Sequence, residues 1–229
     1  MESKQYNLNP YELLSKIYNN NIEGFSEEEI SEAEKRLNIK LPKLLREYYL
    51  HYGKLGINNC VHRIFSPEEL DFSYNYLMEE VEDEDEETTL EDLKKTKNYL
   101  LFWIENQGCW YQGVDVEDIK NDNPKIHITT NDDLFEWDVC SNSFYSHILS
   151  MIYEQLRGSD LEYEDIPKED IRSVLKQNEI DIKKLIPAVN PYDCVHVVTC
   201  WDEDKKRLFY FTREKEELES LNIISAKII

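Results

Sequence analysis

The chain has 229 residues, with 48 Asp and Glu against 26 Lys and Arg, a formal net charge of −22, and 41% hydrophobic residues. With 15 Tyr, 8 Phe and 4 Trp it can fill a core, which excludes global disorder, and its length suits one large domain or one domain with an appendage. The negative field excludes binding to nucleic-acid phosphates or to an anionic membrane surface, which both require Lys and Arg, and it favours solubility and fast association with a basic protein.

In chain order, Tyr11, Leu14, Ile17 and Tyr18 share one helical face within 10–22. A second helix opens at Ser26 as N-cap, with Glu29 three residues on as a capping box, acids in the first turn, and Ile30, Ala33 and Leu37 as the buried stripe. Leu41-Pro42 then places Pro at the first position of a third helix, whose apolar face is Leu44, Leu45, Tyr48, Tyr49 and Tyr52 and whose stop is Gly53. A strand is expected over 60–65 and a helical turn over 66–70. The stretch 79–92 holds ten acids and no Lys or Arg, and its centre is too self-repelling for a strand, so a mobile loop is expected there, with a short helix over 90–97. Residues 99–104 and 109–114 form a hairpin around Asn106-Gln107-Gly108. Strands over 126–129 and 135–139 and a helix capped by Ser143 close this half.

A polar, acidic stretch over 158–167 marks a boundary. Beyond it come a helical pattern around 171–185, a second hairpin over 194–201 and 207–212, and a closing short helix. Residues 1–158 carry 32 acids and 15 bases, and 159–229 carry 16 and 11, so the negative field is concentrated in the first part. The N-terminus lacks a basic segment followed by an apolar run, and no stretch approaches the ~18 apolar residues of a membrane span, so a cytoplasmic location is expected. Cys60, Cys109, Cys140, Cys194 and Cys200 include no C-x-x-C, which points to reduced, mostly buried thiols, although Cys194 and Cys200 could face each other in the second hairpin.

Taken in order, Gly24-Phe25-Ser26-Glu27-Glu28-Glu29-Ile30, Glu34-Lys35-Arg36-Leu37, Leu41-Pro42, Leu45-Arg46-Glu47-Tyr48-Tyr49 and Tyr52-Gly53 resemble the opening of the SUKH superfamily, the Smi/Knr-type homology domain. The 99–114 hairpin with Trp110 and Gly113 resembles that family's middle strands, and Asp133-Leu134-Phe135 with the helix after Ser143 is similar to its closing segment. The resemblance covers 1–158, leaving 159–229 as an extension of helix, β-hairpin and short helix. It implies an α+β fold: N-terminal helices packed on a mostly antiparallel sheet, followed by a C-terminal α/β extension with a hairpin. Many bacterial members are immunity proteins that bind and neutralise a polymorphic toxin, often a nuclease. Fungal members are linked instead to regulation of cell-wall glucan synthesis. The family has no shared catalytic residues to carry over.

Charge supports the immunity reading separately, because a nuclease cleft is basic and an acidic blocker gains rate and complementarity there. The expected contacts are Glu82, Asp83, Glu84, Asp85, Glu86 and Glu87, together with Trp110 and Tyr111, which point to opposite faces of a strand so that one of them is exposed. A solvated acid loop and aromatics packed in the core are the plainer alternatives. Trp103 belongs in the core. Ca²⁺ is disfavoured because the acid run lacks the central Gly and fixed ligand spacing of an EF-hand. The five His form no H-E-x-x-H, there is no G-x-S-x-G or phosphate-binding Gly-rich loop, and only 6 Gly occur, so neither a metal, a cofactor nor an enzyme is expected. Pairs of carboxylates are available for glycosidase-type chemistry, but availability is not a motif.

Overall fold

A computed structural model describes residues 4–19, 23–76, 97–130, 133–157, 159, 161–184, 188–189, 196–214 and 217–225. Strand β1 (Lys4–Tyr6) and helix α1 (Pro10–Ile17) open the chain. Helices α2 (Glu27–Leu37) and α3 (Lys43–Tyr52) lead to strands β2 (His62–Ile64), β3 (Asp71–Phe72), β4 (Tyr99–Glu105), β5 (Trp110–Asp115), β6 (Ile126–Thr130) and β7 (Asp133–Ser141). Helix α4 (Phe144–Arg157), strand β8 (Tyr163–Ile166), helix α5 (Ile171–Gln177) and strands β9 (Ala188–Val189), β10 (His196–Asp202), β11 (Arg207–Glu214) and β12 (Glu217–Ser225) follow. Helices and antiparallel sheets together make this an α+β protein.

Contacts group the chain into two compact units, 23–147 and 1–22 with 148–229. This differs from the division at 158 read from sequence. The physical reason is β1, which pairs with β10 through Lys4↔Asp202, Gln5↔Trp201 and Tyr6↔Cys200 and so joins the start of the chain to its last strands.

In the 23–147 unit the sheet runs β2-β4-β5-β6-β7, with β3 also on β4, every ladder antiparallel. The expected hairpin is β4–β5, with Trp103 opposite Gln112 and Ile104 opposite Tyr111. Tyr48, Tyr49, Phe65, Phe102, Trp103 and Phe144 are its largest fully buried side chains. The Ser26–Glu29 capping box forms as expected: Ser26 Oγ accepts from Glu29 N–H at 3.2 Å and Glu29 accepts from Ser26 N–H at 2.6 Å. Ser143 Oγ likewise caps α4 through the Ser146 N–H, 3.1 Å. Two details differ from the expectation. Pro42 is the N-cap, still extended at φ −49° and ψ 137°, and Lys43 is the first helical residue. Gly53 is the C-cap, so the helix stops where expected, but it does so with right-handed rather than left-handed angles. Buried Asn58 secures this end of α3, donating to the carbonyls of Tyr52 at 2.6 Å and Gly53 at 3.0 Å and accepting from Tyr48 Oη at 2.5 Å.

In the other unit the sheet order is β1-β10-β11-β12-β8, with β9 also on β10, again all antiparallel. Its core joins Ile166, Ile171, Leu175, Cys200, Phe209 and Phe211 with Leu221 and Ile223. The expected 194–212 hairpin is β10–β11. The closing short helix is instead strand β12, because Leu221 and Ile223 alternate into the core opposite Phe211 and Phe209. Lys4 forms an ion pair with fully buried Asp202, which also accepts from the N–H groups of Asp204 and Lys205, each at 3.1 Å. Burial works to raise the Asp202 pKa, but Lys4 and the Lys205 N–H outweigh it and hold the carboxyl below its ordinary range.

Candidate functional site

Phe25 precedes the α2 N-cap. Its position is set by two close backbone approaches where no side chain intervenes. A Cβ on Gly24 would stand 1.8 Å from the Leu50 carbonyl oxygen, and one on Gly53 would stand 2.5 Å from Phe25 Cδ2. Backbone bonds from Phe25 N–H to Tyr49 O, 2.8 Å, and from Lys54 N–H to Glu23 O, 2.9 Å, pin this segment to the end of α3. The Phe25 ring meets Tyr49 edge-on at 5.8 Å.

Phe25 forms one wall of a cleft of about 510 Å³, whose other walls come from Glu29, Glu32 and Arg36 on α2 and from the Ser66-Pro67-Glu68 turn. Arg36 Nη2 lies within 2.8–3.1 Å of the carbonyl oxygens of Pro67, Glu68 and Leu70, so the single cation in the lining is already engaged with backbone dipoles. Lys54 rides over the Phe25 ring at 4.8 Å and reaches the Glu29 carboxylate at 3.0 Å. The Ser26 N–H, followed by Lys54 and the Ser26 hydroxyl, pulls the Glu29 pKa down to about 2. Glu29 therefore stays ionised throughout the physiological range. Three carboxylates beside an aromatic face and apolar Ala33 and Pro67 suit a long cationic side chain, whose stem packs while its head is neutralised.

The residues expected as contacts are distributed differently. Glu82, Asp83, Glu84, Asp85, Glu86 and Glu87 lie outside the described residues, as does the 90–97 helix over 90–96. Strand alternation separates Trp110 from Tyr111. Tyr111 is buried, edge-on to Tyr76 at 5.5 Å, while Trp110 is half-buried against the His62 ring at 4.7 Å. His62 Nδ1 stands 3.9 Å from Glu105 Oε1, and burial lowers the His62 pKa against the opposing pull of that carboxylate. Neither aromatic lines the acid cleft. The cleft residues Phe25, Glu32 and Glu68 were missed by sequence reasoning. The available signal was Phe25 itself, a large apolar side chain between Gly24 and an N-cap, with Glu32 one turn beyond Glu29.

Trp103 is core, as expected, and Trp137 stacks on Tyr99 at 4.0 Å. Among the described residues Cys60, Cys109, Cys140 and Cys200 form no disulfide, and Cys194 lies outside those residues. Burial raises the Cys200 pKa to about 12, whereas Cys109 is exposed, against the expectation of mostly buried thiols. Burial lowers the His147 pKa to about 3, so this ring is a neutral core group, edge-on to Phe102 at 5.7 Å. Among the described residues no three His, Cys, Asp or Glu side chains are grouped to hold a metal ion, and no helix is long and apolar enough to cross a membrane.

The comparisons with curated proteins and with solved structures return no significant match. The family model described as SMI1 / KNR4 family (SUKH-1) matches residues 24–149, a span that contains Phe25, the three cleft carboxylates and the β4–β5 hairpin. With more than half of its length matched, and with the helix–Leu-Pro–helix opening and antiparallel sheet in place, the chain belongs to the SMI1 / KNR4 (SUKH-1) family.

Proposed function

We propose that this protein is a non-enzymatic immunity module that binds a basic protein, a cognate toxin such as a nuclease, and occludes its working surface. The observation that carries the reading is the acid-lined cleft beside Phe25, which lies in the family-matched region and suits a Lys or Arg side chain of the partner. The family is one of generally protein-binding domains, and the −22 net charge adds association rate toward a basic target. Half-exposed Trp110 and the run Glu82, Asp83, Glu84, Asp85, Glu86 and Glu87 extend the contact surface in this proposal, with buried Tyr111 supporting the strand from its other face.

The test is purification of the tagged protein from its own host at low and moderate salt. A near-stoichiometric basic partner that is toxic alone and silenced by co-expression of this chain is the expected result. The family equally includes the Knr4-type regulatory reading. Recovery of envelope-synthesis or signalling proteins without a toxin would replace the immunity proposal by an intracellular scaffold of the cell-wall-regulator kind.

A further inference from the structure

On the other flank of α2 lies a second groove, of about 890 Å³, with the opposite charge. Its lining holds five cations, Lys35, Lys40, Lys43, Arg46 and Lys120, against the two carboxylates of Glu34 and Asp122, in a chain whose acids outnumber its bases by 48 to 26. Glu34 is 2% exposed and satisfied within the floor. It accepts from Lys40 Nζ at 2.6 Å and the Leu41 N–H at 3.1 Å, and its Oε1 lies 3.5 Å from Arg46 Nε. Arg46 is paired further with Glu27. That accounts for Lys40, Arg46 and Glu34. Lys35, Lys43 and Lys120 are exposed and make no ion pair among the described residues.

Three unpaired ammonium groups around one concavity repel one another and gain nothing within the chain, so their arrangement suits an anion from outside. The first turn of α3 adds to the same field. Its N-cap, Pro42, supplies no side-chain acceptor, and the Leu44 N–H is met by the Asp122 carbonyl at 3.1 Å. Half-buried Ile39, backed by buried Leu41, Pro42 and Ile119, gives the groove an accessible apolar spot that a bare inorganic anion would leave uncovered. A long polyanion would extend from the groove into the field of a −22 chain. A short one would not, since charges beyond about 8 Å are largely screened at physiological salt.

We propose that this groove is a docking site for a short acidic peptide segment of a protein partner, with two or three carboxylates over Lys35, Lys43 and Lys120 and an apolar side chain against Ile39. The site is independent of the acid cleft and stands whether or not that cleft takes a basic partner.

The experiment is fluorescence anisotropy of the full chain with a dye-labelled, terminally blocked peptide of Asp, Glu, Leu, Asp and Glu. Saturable binding is expected, weakened about tenfold or more in the triple variant Lys35→Ala, Lys43→Ala and Lys120→Ala, and retained when the same lysines are changed to Arg. Replacing Lys176 and Lys205, outside the groove, is expected to leave it unchanged. All these lysines are exposed, so the variants are expected to keep the wild-type melting temperature. Absence of saturable binding, or equal weakening by the Lys176 and Lys205 changes, would overturn the proposal. Binding of tripolyphosphate at least as tight as the peptide, with displacement of it, would overturn it in favour of a small-anion site.

Discussion

Lys54 holds its ammonium 4.8 Å over the ring of Phe25 while bonding the Glu29 carboxylate, so the chain places a cation of its own where a partner's cation would sit. The arrangement is an internal competitor. Lys54→Ala is expected to tighten binding of a dye-labelled Arg-rich peptide about threefold, and Phe25→Ala to weaken it by a similar factor, the scale of an exposed cation–π contact. Anisotropy titrations of both variants check this. No weakening in Phe25→Ala would remove Phe25 from the contact, and no tightening in Lys54→Ala would remove the competition.

The approach of Gly24 to Leu50 makes a second expectation. With 1.8 Å between a would-be Cβ and the Leu50 carbonyl oxygen, and backbone atoms on both sides, nothing can rotate away. Gly24→Ala is expected to destabilise by about 2 kcal/mol or more, read from the urea midpoint.

His147 gives a pH dependence of known sign. Its folded pKa of about 3 lies below the ordinary 6.5, so the unfolded chain binds the extra proton between those values. The stability it permits is complete above pH 6.5 and falls as pH drops toward 3, by up to about 1.4 kcal/mol per pH unit. Burial lowers His62 and His127 as well, so they add to the same slope. Glu29 and Glu203, both drawn down to about 2 by hydrogen bonds, lose their contribution only below about pH 4.5. Urea unfolding between pH 4.5 and 6.5 therefore isolates the histidines, and His147→Leu is expected to flatten that slope. An unchanged slope would mean that the ring is protonated in the fold.

In the other unit, Lys4→Met leaves Asp202 buried with only its turn N–H partners. A loss of about 2 kcal/mol is expected, below the usual penalty for a stranded buried charge because two N–H bonds remain. Thermal unfolding of Lys4→Met beside Lys4→Arg measures it, and Arg is expected to recover most of the loss.

Local rules made much of this fold legible. Ser26 and Glu29 announce a helix start within four residues, the 99–114 stretch carries its own turn, and Ser143 caps α4, all interactions short in sequence. What could not be read joins distant residues. Phe25 and Glu68 line one cleft only because α2 packs beside the 66–68 turn, and Lys35, Lys43 and Lys120 meet only in three dimensions. Strand β12 stands where the sequence leads one to expect a closing short helix, because pairing with β11 and β8 decides its conformation. The acid run drew attention by composition, but opposed flanks on one helix cannot be seen in composition at all.

The pairing of β1 with β10 also sets an order of events during synthesis. Residues 23–147 leave the ribosome with every strand of their sheet present, whereas Lys4, Gln5 and Tyr6 must wait until Cys200, Trp201 and Asp202 have emerged. Strand β1 thus waits for a neighbour made much later in the chain. A chain cut short before β10 would carry a finished family-matched unit with an unpaired N-terminal edge, an exposed template for association with other nascent chains.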